Sequence, residues 1–398
     1  MTPLADVDSR KQLKLISLEY AIIFFASGSM FPFFTLYLTR NLGWSGTQVG
    51  TVMALGNMLV LLTQPLWGRL ADITQKNTVL ALGLGASAVL AFLQPFAAGT
   101  FLVFVILRLL HSMSSGAIVP ICDSIALDVL GDDKDAYGNY RLWGSFGMAV
   151  ASFVFGKVYE MLGFDHMFFY YAALMAIAAG IATRFDVKAS SQSAPRESIQ
   201  LRPVLANPAL LMLLGGVFLV MTANAAGENF LAIYMDAIGA ATGFTGYAFA
   251  FMAFVEVPMF LVAPLVIERF GYKSALVFST ALFGLKPIVN IMVPIPWVAV
   301  FLQGLVGIGF AFYQVSVVLM VDSLVPRQFR ATGQAILATV SWSLAGIVGN
   351  LVFGRLLDTL GIFGTYRIGG CVGLLGALFI YLFVPGRKKQ QSAAGLDA

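Results

Sequence analysis

Charged and turn-forming residues occur in clusters along this chain, and the stretches between them are continuously apolar. Cutting at the clusters leaves segments at 14–38, 46–70, 77–97, 100–128, 138–161, 166–184, 207–235, 243–268, 274–293, 296–321, 331–357 and 364–384. An α-helix rises about 1.5 Å per residue, so roughly 20 apolar residues cross the ~30 Å hydrocarbon core of a bilayer. The pattern therefore predicts twelve transmembrane helices. Strands are excluded because no segment alternates apolar and polar residues in the short pieces that mark a membrane barrel. The first segment is too long for a signal-peptide core and no small-residue cleavage site follows it, so it is expected to remain as a span.

Composition makes the same assignment from another direction. Hydrophobic residues are 59% of the chain and charged residues 11%, less than half the ~25% that a water-soluble domain carries. The charges are also sorted. With the N-terminus in the cytoplasm, Arg10, Lys11, Lys14, Arg69, Lys76, Lys134, Arg184, Lys188, Arg196, Arg202, Arg269, Lys273, Arg327, Arg330, Arg387, Lys388 and Lys389 share that side, and Arg40, Lys157, Arg355 and Arg367 lie opposite. By the positive-inside rule, both termini are expected in the cytoplasm, with the protein in the cell's inner (cytoplasmic) membrane. The formal net charge of +4 then reflects topology, and nucleic acid is not an expected partner.

The longest hydrophilic connection, RFDVKASSQSAPRESIQLRP (Arg184 to Pro203), falls near the middle of the chain. It divides the sequence into an N-terminal six-helix half (1–184), a cytoplasmic linker (185–206) and a C-terminal six-helix half with a short tail (207–398). VFGKVYEMLGF (Val154 to Phe164) repeats as VFGRLLDTLGI (Val352 to Ile362), at the ends of spans five and eleven. QPLWGRLAD (Gln64 to Asp72) has a weaker echo in APLVIERFG (Ala263 to Gly271). Two similar halves with an even number of spans indicate a duplicated transporter whose substrate site lies near the midplane.

Other chemistry lacks its parts. The two histidines are His111 and His166, the two cysteines Cys122 and Cys371, and no HExxH, paired CxxC, Walker A or G-x-S-x-G occurs. Metal, cofactor and catalytic sites are therefore not expected, and neither is enzymatic activity. GLGASA (Gly83 to Ala88) mimics a nucleotide turn, but inside span three it reads as small residues that let helices approach.

Candidate chemistry rests with the charges inside the spans: Glu19, Arg108, Asp123, Arg141, Glu228, Glu256 and Lys286. A charge at mid-bilayer costs about 2.5–3.5 kcal/mol on insertion scales, so it faces a water-filled cavity or a partner. Asp123 lies about 10 Å inside the end of span four and Arg141 about 6 Å into span five. The short turn between these helices makes them antiparallel neighbours, so the two side chains should meet, either to bind substrate or as a salt bridge closing the cytoplasmic side. Glu256 and Lys286, each followed closely by a proline (Pro258, Pro287), are expected to form a second pair in the C-terminal half that carries the coupling proton. Arg108 either couples transport or anchors helices. Glu228 sits late in span seven as a gate candidate, and Glu19 near its helix start either functions or snorkels. Asn57, Trp143, Gln314 and Trp342 are candidate cavity-lining residues, because polar or aromatic tips are infrequent inside spans.

A family resemblance sharpens this. GRLADITQK (Gly68 to Lys76) resembles the loop motif of the major facilitator superfamily, with Gln75 where a glycine is usual, and RLLHSMSSG (Arg108 to Gly116) resembles its second motif. SGSMFPFFTLYL (Ser27 to Leu38), QPLWGRLAD and DAYGNYRLWGS (Asp135 to Ser145) are similar to the branch of lactose permeases, phenylpropionate permeases and nucleoside–proton symporters. The resemblance implies an all-α membrane protein of two pseudo-symmetric six-helix halves, in which Gly68, Arg69, Asp72 and Lys76 form a conformational gating motif. It implies that Asp123 and Arg141 match an acid and an arginine that contact sugar. It likewise sets Lys286 beside a basic residue of span nine and Glu256 beside an acid of the nucleoside branch. Gln303, Val306 and Gly309 stand where lactose permease carries its Lys, His and Glu cluster, so proton coupling must run differently. Met148 stands two turns after Arg141, where a galactose-stacking tryptophan is expected, which disfavours galactosides. The implied activity is proton symport of a small organic solute, such as an aromatic acid, nucleoside or sugar, by a monomer in the lipid bilayer. The alternatives are proton-driven efflux of drugs or sugars, and a non-transporting receptor or membrane enzyme.

Overall fold

The computed structural model describes residues 7–131, 133, 136–185 and 206–385. The linker expected over 185–206 and the tail lie almost wholly outside the described residues. Within them the chain is helical, without strands: α1 (Val7–Met30), α2 (Phe34–Arg40), α3 (Gly46–Ile73), α4 (Lys76–Leu93), α5 (Phe101–Ser115), α6 (Ile118–Leu130), α7 (Tyr137–Leu162), α8 (Met167–Ala182), α9 (Pro208–Asn229), α10 (Leu231–Ala237), α11 (Thr242–Phe270), α12 (Tyr272–Met292), α13 (Pro296–Leu324), α14 (Arg330–Ala338) and α15 (Ala345–Phe383).

Nine continuous helical stretches among the described residues are long and apolar enough to cross a bilayer. The other expected spans follow from local chemistry. The last stretch, Arg327–Phe383, is 57 residues long and breaks at Gly361, whose φ of 66° only glycine adopts readily, giving spans eleven and twelve. Helix α7 has 26 residues but carries Arg141, Lys157 and Glu160, and α8 has 16. Several spans are interrupted: Pro32 lies in the single 3-10 turn between α1 and α2, and α5 gives way to α6 at Gly116 and Ala117. A π-helical turn over Thr339–Leu344 separates α14 from α15. Such breaks survive in a bilayer only where neighbouring helices cover the freed backbone groups.

The most extensive helix contacts repeat between the halves. Span one packs on span five (α1 on α7) as span seven packs on span eleven (α9 on α15), and span three packs on span six (α4 on α8) as span nine packs on span twelve (α12 on α15 beyond Gly361). Small residues allow these approaches. A Cβ at Gly147 of α7 would collide with the Ala21 carbonyl oxygen, and one at Gly284 of α12 would lie 2.5 Å from the Leu374 nitrogen. In the GLGASA stretch, Gly83 does face the Ser114 carbonyl, but Gly85 has no atom near enough for a Cβ to meet.

Backbone packing divides the chain into two compact units. One comprises Met1–Leu42, Leu55–Pro195 and Thr245–Ala250; the other comprises Gly43–Ala54, Arg196–Phe244 and Phe251–Ala398. Each unit thus includes a short piece from the other sequence half. In the first, Gly246 lies on Ser152 and Gly156 of α7. In the second, Gly50 lies on Asn350 and Gly354 of α15, and the Asp358 carboxylate accepts hydrogen bonds from the Gly46 and Thr47 amides at 2.6 and 2.8 Å. Asp358 thereby caps α3, satisfying amides that the helix itself leaves unpaired.

Candidate functional site

The first unit brings Asp123 and Arg141 together, with Arg141 Nε 3.9 Å from Asp123 Oδ1. That oxygen also accepts hydrogen bonds from the Tyr20 hydroxyl at 2.6 Å and the Tyr137 hydroxyl at 2.9 Å. The Arg141 guanidinium lies 4.1 Å from the Phe24 ring centroid and 5.3 Å from that of Tyr20. Helical spacing explains the cluster: Tyr20 and Phe24 are one turn apart on α1, as Tyr137 and Arg141 are on α7. Gly144 makes room, since a Cβ there would stand 2.7 Å from Arg141 Nη1 and 2.9 Å from the Phe24 ring. Among the described residues, Asp123 Oδ2 and the terminal guanidinium nitrogens have no hydrogen-bond partner, and the side chains are 32% and 29% exposed. The pair is held on one side and open on the other. Tyr20, Phe24 and Tyr137 were not singled out from sequence, although their one-turn spacing is a signal for them.

In the second unit the expected pairing is corrected. Lys286 meets Glu228, with Nζ to Oε1 at 2.8 Å, and also donates to the Gly227 carbonyl at 3.0 Å. Gln303 Nε2 donates to the other Glu228 oxygen at 2.6 Å. Depth along the helix decides the partner. Lys286 is six residues from the end of α12, about 9 Å by helical rise, and Glu228 is in the last turn of α9. Glu256 instead occupies the middle of α11, where its backbone nitrogen abuts Gly307 of α13. Lys286 is therefore not as deep as Glu256, and its ion pair is with Glu228 instead. Gln303, one of the positions where the cluster of lactose permeases is absent, supplies a neutral donor to this acid.

Glu19 is fully buried and neither carboxyl oxygen has a hydrogen-bond partner among the described residues. Snorkelling is thereby excluded. Arg108 lies 4.0 Å over the Phe34 ring and its Nη1 is 3.3 Å from His111 Nδ1. His111 Nε2 is 3.1 Å from the Ser87 hydroxyl, itself 3.0 Å from Tyr171 Oη.

The remaining candidates are dispersed. Trp143 is 49% exposed and its ring meets Phe146 edge-on. Trp342 lies in the π-helical turn, 48% exposed, against Phe310. Asn57 and Gln314 are partly buried on α3 and α13. Of the loop motif, Arg69 and Asp72 are exposed, Gly68 is partly buried and Lys76 pairs with Asp128 at 2.6 Å, tying the start of α4 to the last turn of α6. Trp67, just before the motif, donates to the Met113 carbonyl at 2.7 Å.

Twelve spans in two repeated groups of six, with opposed charges held inside them, are the architecture of a membrane solute transporter. The chain belongs to the MFS_1 like family, whose model matches residues 13–368. It is 28% identical over 376 residues to the maltose permease of Geobacillus stearothermophilus, covering 94% of this chain and 95% of that one. It is 26% identical over 293 residues to the probable 3-phenylpropionic acid transporter of Escherichia coli (strain K12), covering 72% and 76%. The crystal structure of the nucleoside transporter NupG superposes with a TM-score of 0.84 at 17% identity, covering 94% and 98%. This protein is a major facilitator transporter of small molecules, and not an enzyme.

Proposed function

We propose that the chain is a proton-coupled symporter, working by alternating access, that takes up a small organic solute bearing hydroxyl or carboxyl groups. Sugars, nucleosides and aromatic acids are the classes that fit. The observation that carries this reading is the open side of the Asp123–Arg141 pair. A planar donor fork and a free carboxylate oxygen stand together, backed by two aromatic rings and partly exposed. Such a pair can grip a diol with donor and acceptor at once, or a carboxylate through the fork. The maltose permease and the 3-phenylpropionic acid transporter support both solute classes by their names. Asn57, Trp143, Gln314 and Trp342 would contribute only as lining in another conformation.

Proton coupling is assigned to the acids inside the spans, of which Glu19 is buried and Glu228 and Glu256 are partly buried. Glu256 at mid-span remains the leading carrier, Glu228 with Lys286 and Gln303 forms the ion-paired alternative, and Glu19 is suited to hold a proton because no partner stabilises its charge. The loop motif Gly68, Arg69, Asp72 and Lys76 serves as the conformational gate. The protein acts as a monomer in the inner membrane, with both termini cytoplasmic by the distribution of Lys and Arg.

The test is solute exchange and accumulation in proteoliposomes. Glu256→Gln imitates the protonated acid, so solute should still exchange across the membrane but no longer accumulate against its gradient. Uphill accumulation that survives in Glu256→Gln with unchanged pH dependence moves the carrier to Glu228 or Glu19, which the same assay ranks. Export is separated from uptake in intact cells: an uncoupler should lower accumulation by a symporter and raise it for a pump that expels solute.

A further inference from the structure

Of the three intramembrane cations singled out from the sequence, Arg108, Arg141 and Lys286, two have an acid among the described residues. Arg141 has Asp123 and Lys286 has Glu228. Arg108 has none: among the described residues no carboxylate comes within ion-pairing distance of its guanidinium. Its neighbours are neutral. A guanidinium only donates hydrogen bonds, so His111 Nδ1, 3.3 Å away, must accept and carries no proton. The imidazole proton then sits on Nε2 and points to the Ser87 hydroxyl, which continues to Tyr171. The Phe34 ring lies against the guanidinium at 4.0 Å. Histidine and phenylalanine fix where the charge stands, and nothing in this network cancels it. One of the five guanidinium N–H groups is used, and the others have no acceptor among the described residues.

An unbalanced cation inside a bilayer is costly unless water or an anion joins it. Arg108 as a residue is only partly buried. We infer that Arg108 is a binding station for the carboxylate of an organic solute, separate from the Asp123–Arg141 pair. The separation follows from position: Asp123 is fifteen residues further along α5 and α6, roughly 20 Å by helical rise, beyond the reach of one small solute. Arg141 has its acid beside it and offers directed hydrogen bonds with little net charge; Arg108 offers the charge. The inference rests on the transporter reading and narrows its substrates to organic anions.

The test is binding to the purified full-length protein, by calorimetry or thermal shift, with acetate, benzoate and 3-phenylpropionate, each compared with its primary amide and with sodium chloride. At least one acid should bind ~10-fold more tightly than its amide, since a charge-assisted fork is lost in the amide. Arg108→Gln should abolish that preference, and Arg108→Lys should keep part of it. If Arg108→Gln does not fold, His111→Glu supplies an internal carboxylate one turn away, and should remove the acid preference with the arginine still present. Equal binding of acid and amide, no binding of any acid, an acid preference that survives Arg108→Gln, or one matched by chloride would each overturn the assignment. Proton-driven accumulation in wild type without acid preference would sink the anion station alone. Acid preference without accumulation would sink only the symport reading.

Discussion

At the scale of single residues, the open pair makes a sharp demand on geometry. Arg141→Lys keeps the charge but loses the planar fork, so solute affinity should fall by more than tenfold while the protein still inserts and purifies as a monodisperse species. Affinity near wild type, measured by equilibrium binding, would remove Arg141 from the solute site. Gly144→Ala should act through the same arginine, because its new methyl would occupy the space of Arg141 Nη1 and the Phe24 ring. Gly138→Ala, on the same helix with nothing near enough to touch, is the control and should leave binding unchanged. Asp123 and Arg141 were legible as a pair because a short turn forces adjacent helices to run antiparallel. Lys286 was legible as a buried cation, but its partner was not: two intramembrane acids of the C-terminal half, Glu228 and Glu256, compete, and only helix register shows that Glu228 shares its depth. Glu228→Gln should therefore destabilise the protein by about 3–5 kcal/mol, the usual consequence of leaving a buried charge alone. Glu228→Gln combined with Lys286→Met should recover most of that loss in thermal unfolding.

At the scale of elements, helix identity was readable from the chain and helix contacts only partly. Apolar length located every span, and Gly361 marks where a continuous helix of 39 residues must be divided. The breaks at Phe31–Phe33 and at the π-helical turn over Thr339–Leu344 carry weaker signals, since a single proline or none at all accompanies them. Glycine was ambiguous in the same way. Gly85 and Gly147 look alike in sequence, yet one faces open space and the other a carbonyl oxygen of α1. Gly147→Ala should cost about 1–3 kcal/mol by forcing α1 and α7 apart. Gly85→Ala should be neutral or stabilise by up to about 1 kcal/mol, through reduced backbone freedom in the unfolded chain. Unfolding of the purified variants by denaturant or heat checks both signs.

At the scale of the whole molecule, the duplication visible in VFGKVYEMLGF and VFGRLLDTLGI corresponds to repeated helix contacts, span one on five and span seven on eleven. The exchange of Gly43–Ala54 and Thr245–Ala250 between the packing units was not legible, because it depends on where distant helix ends come to rest. It bears on how the protein is made. The ribosome completes the first six spans before Thr245–Ala250 exists, so the bed on α7 that receives Gly246 must wait, uncovered, for synthesis of the second half. The start of α3 must likewise wait for Asp358 to cap it. Two polypeptides divided within residues 186–205 should therefore be degraded when either is expressed alone, and persist and co-purify when expressed together.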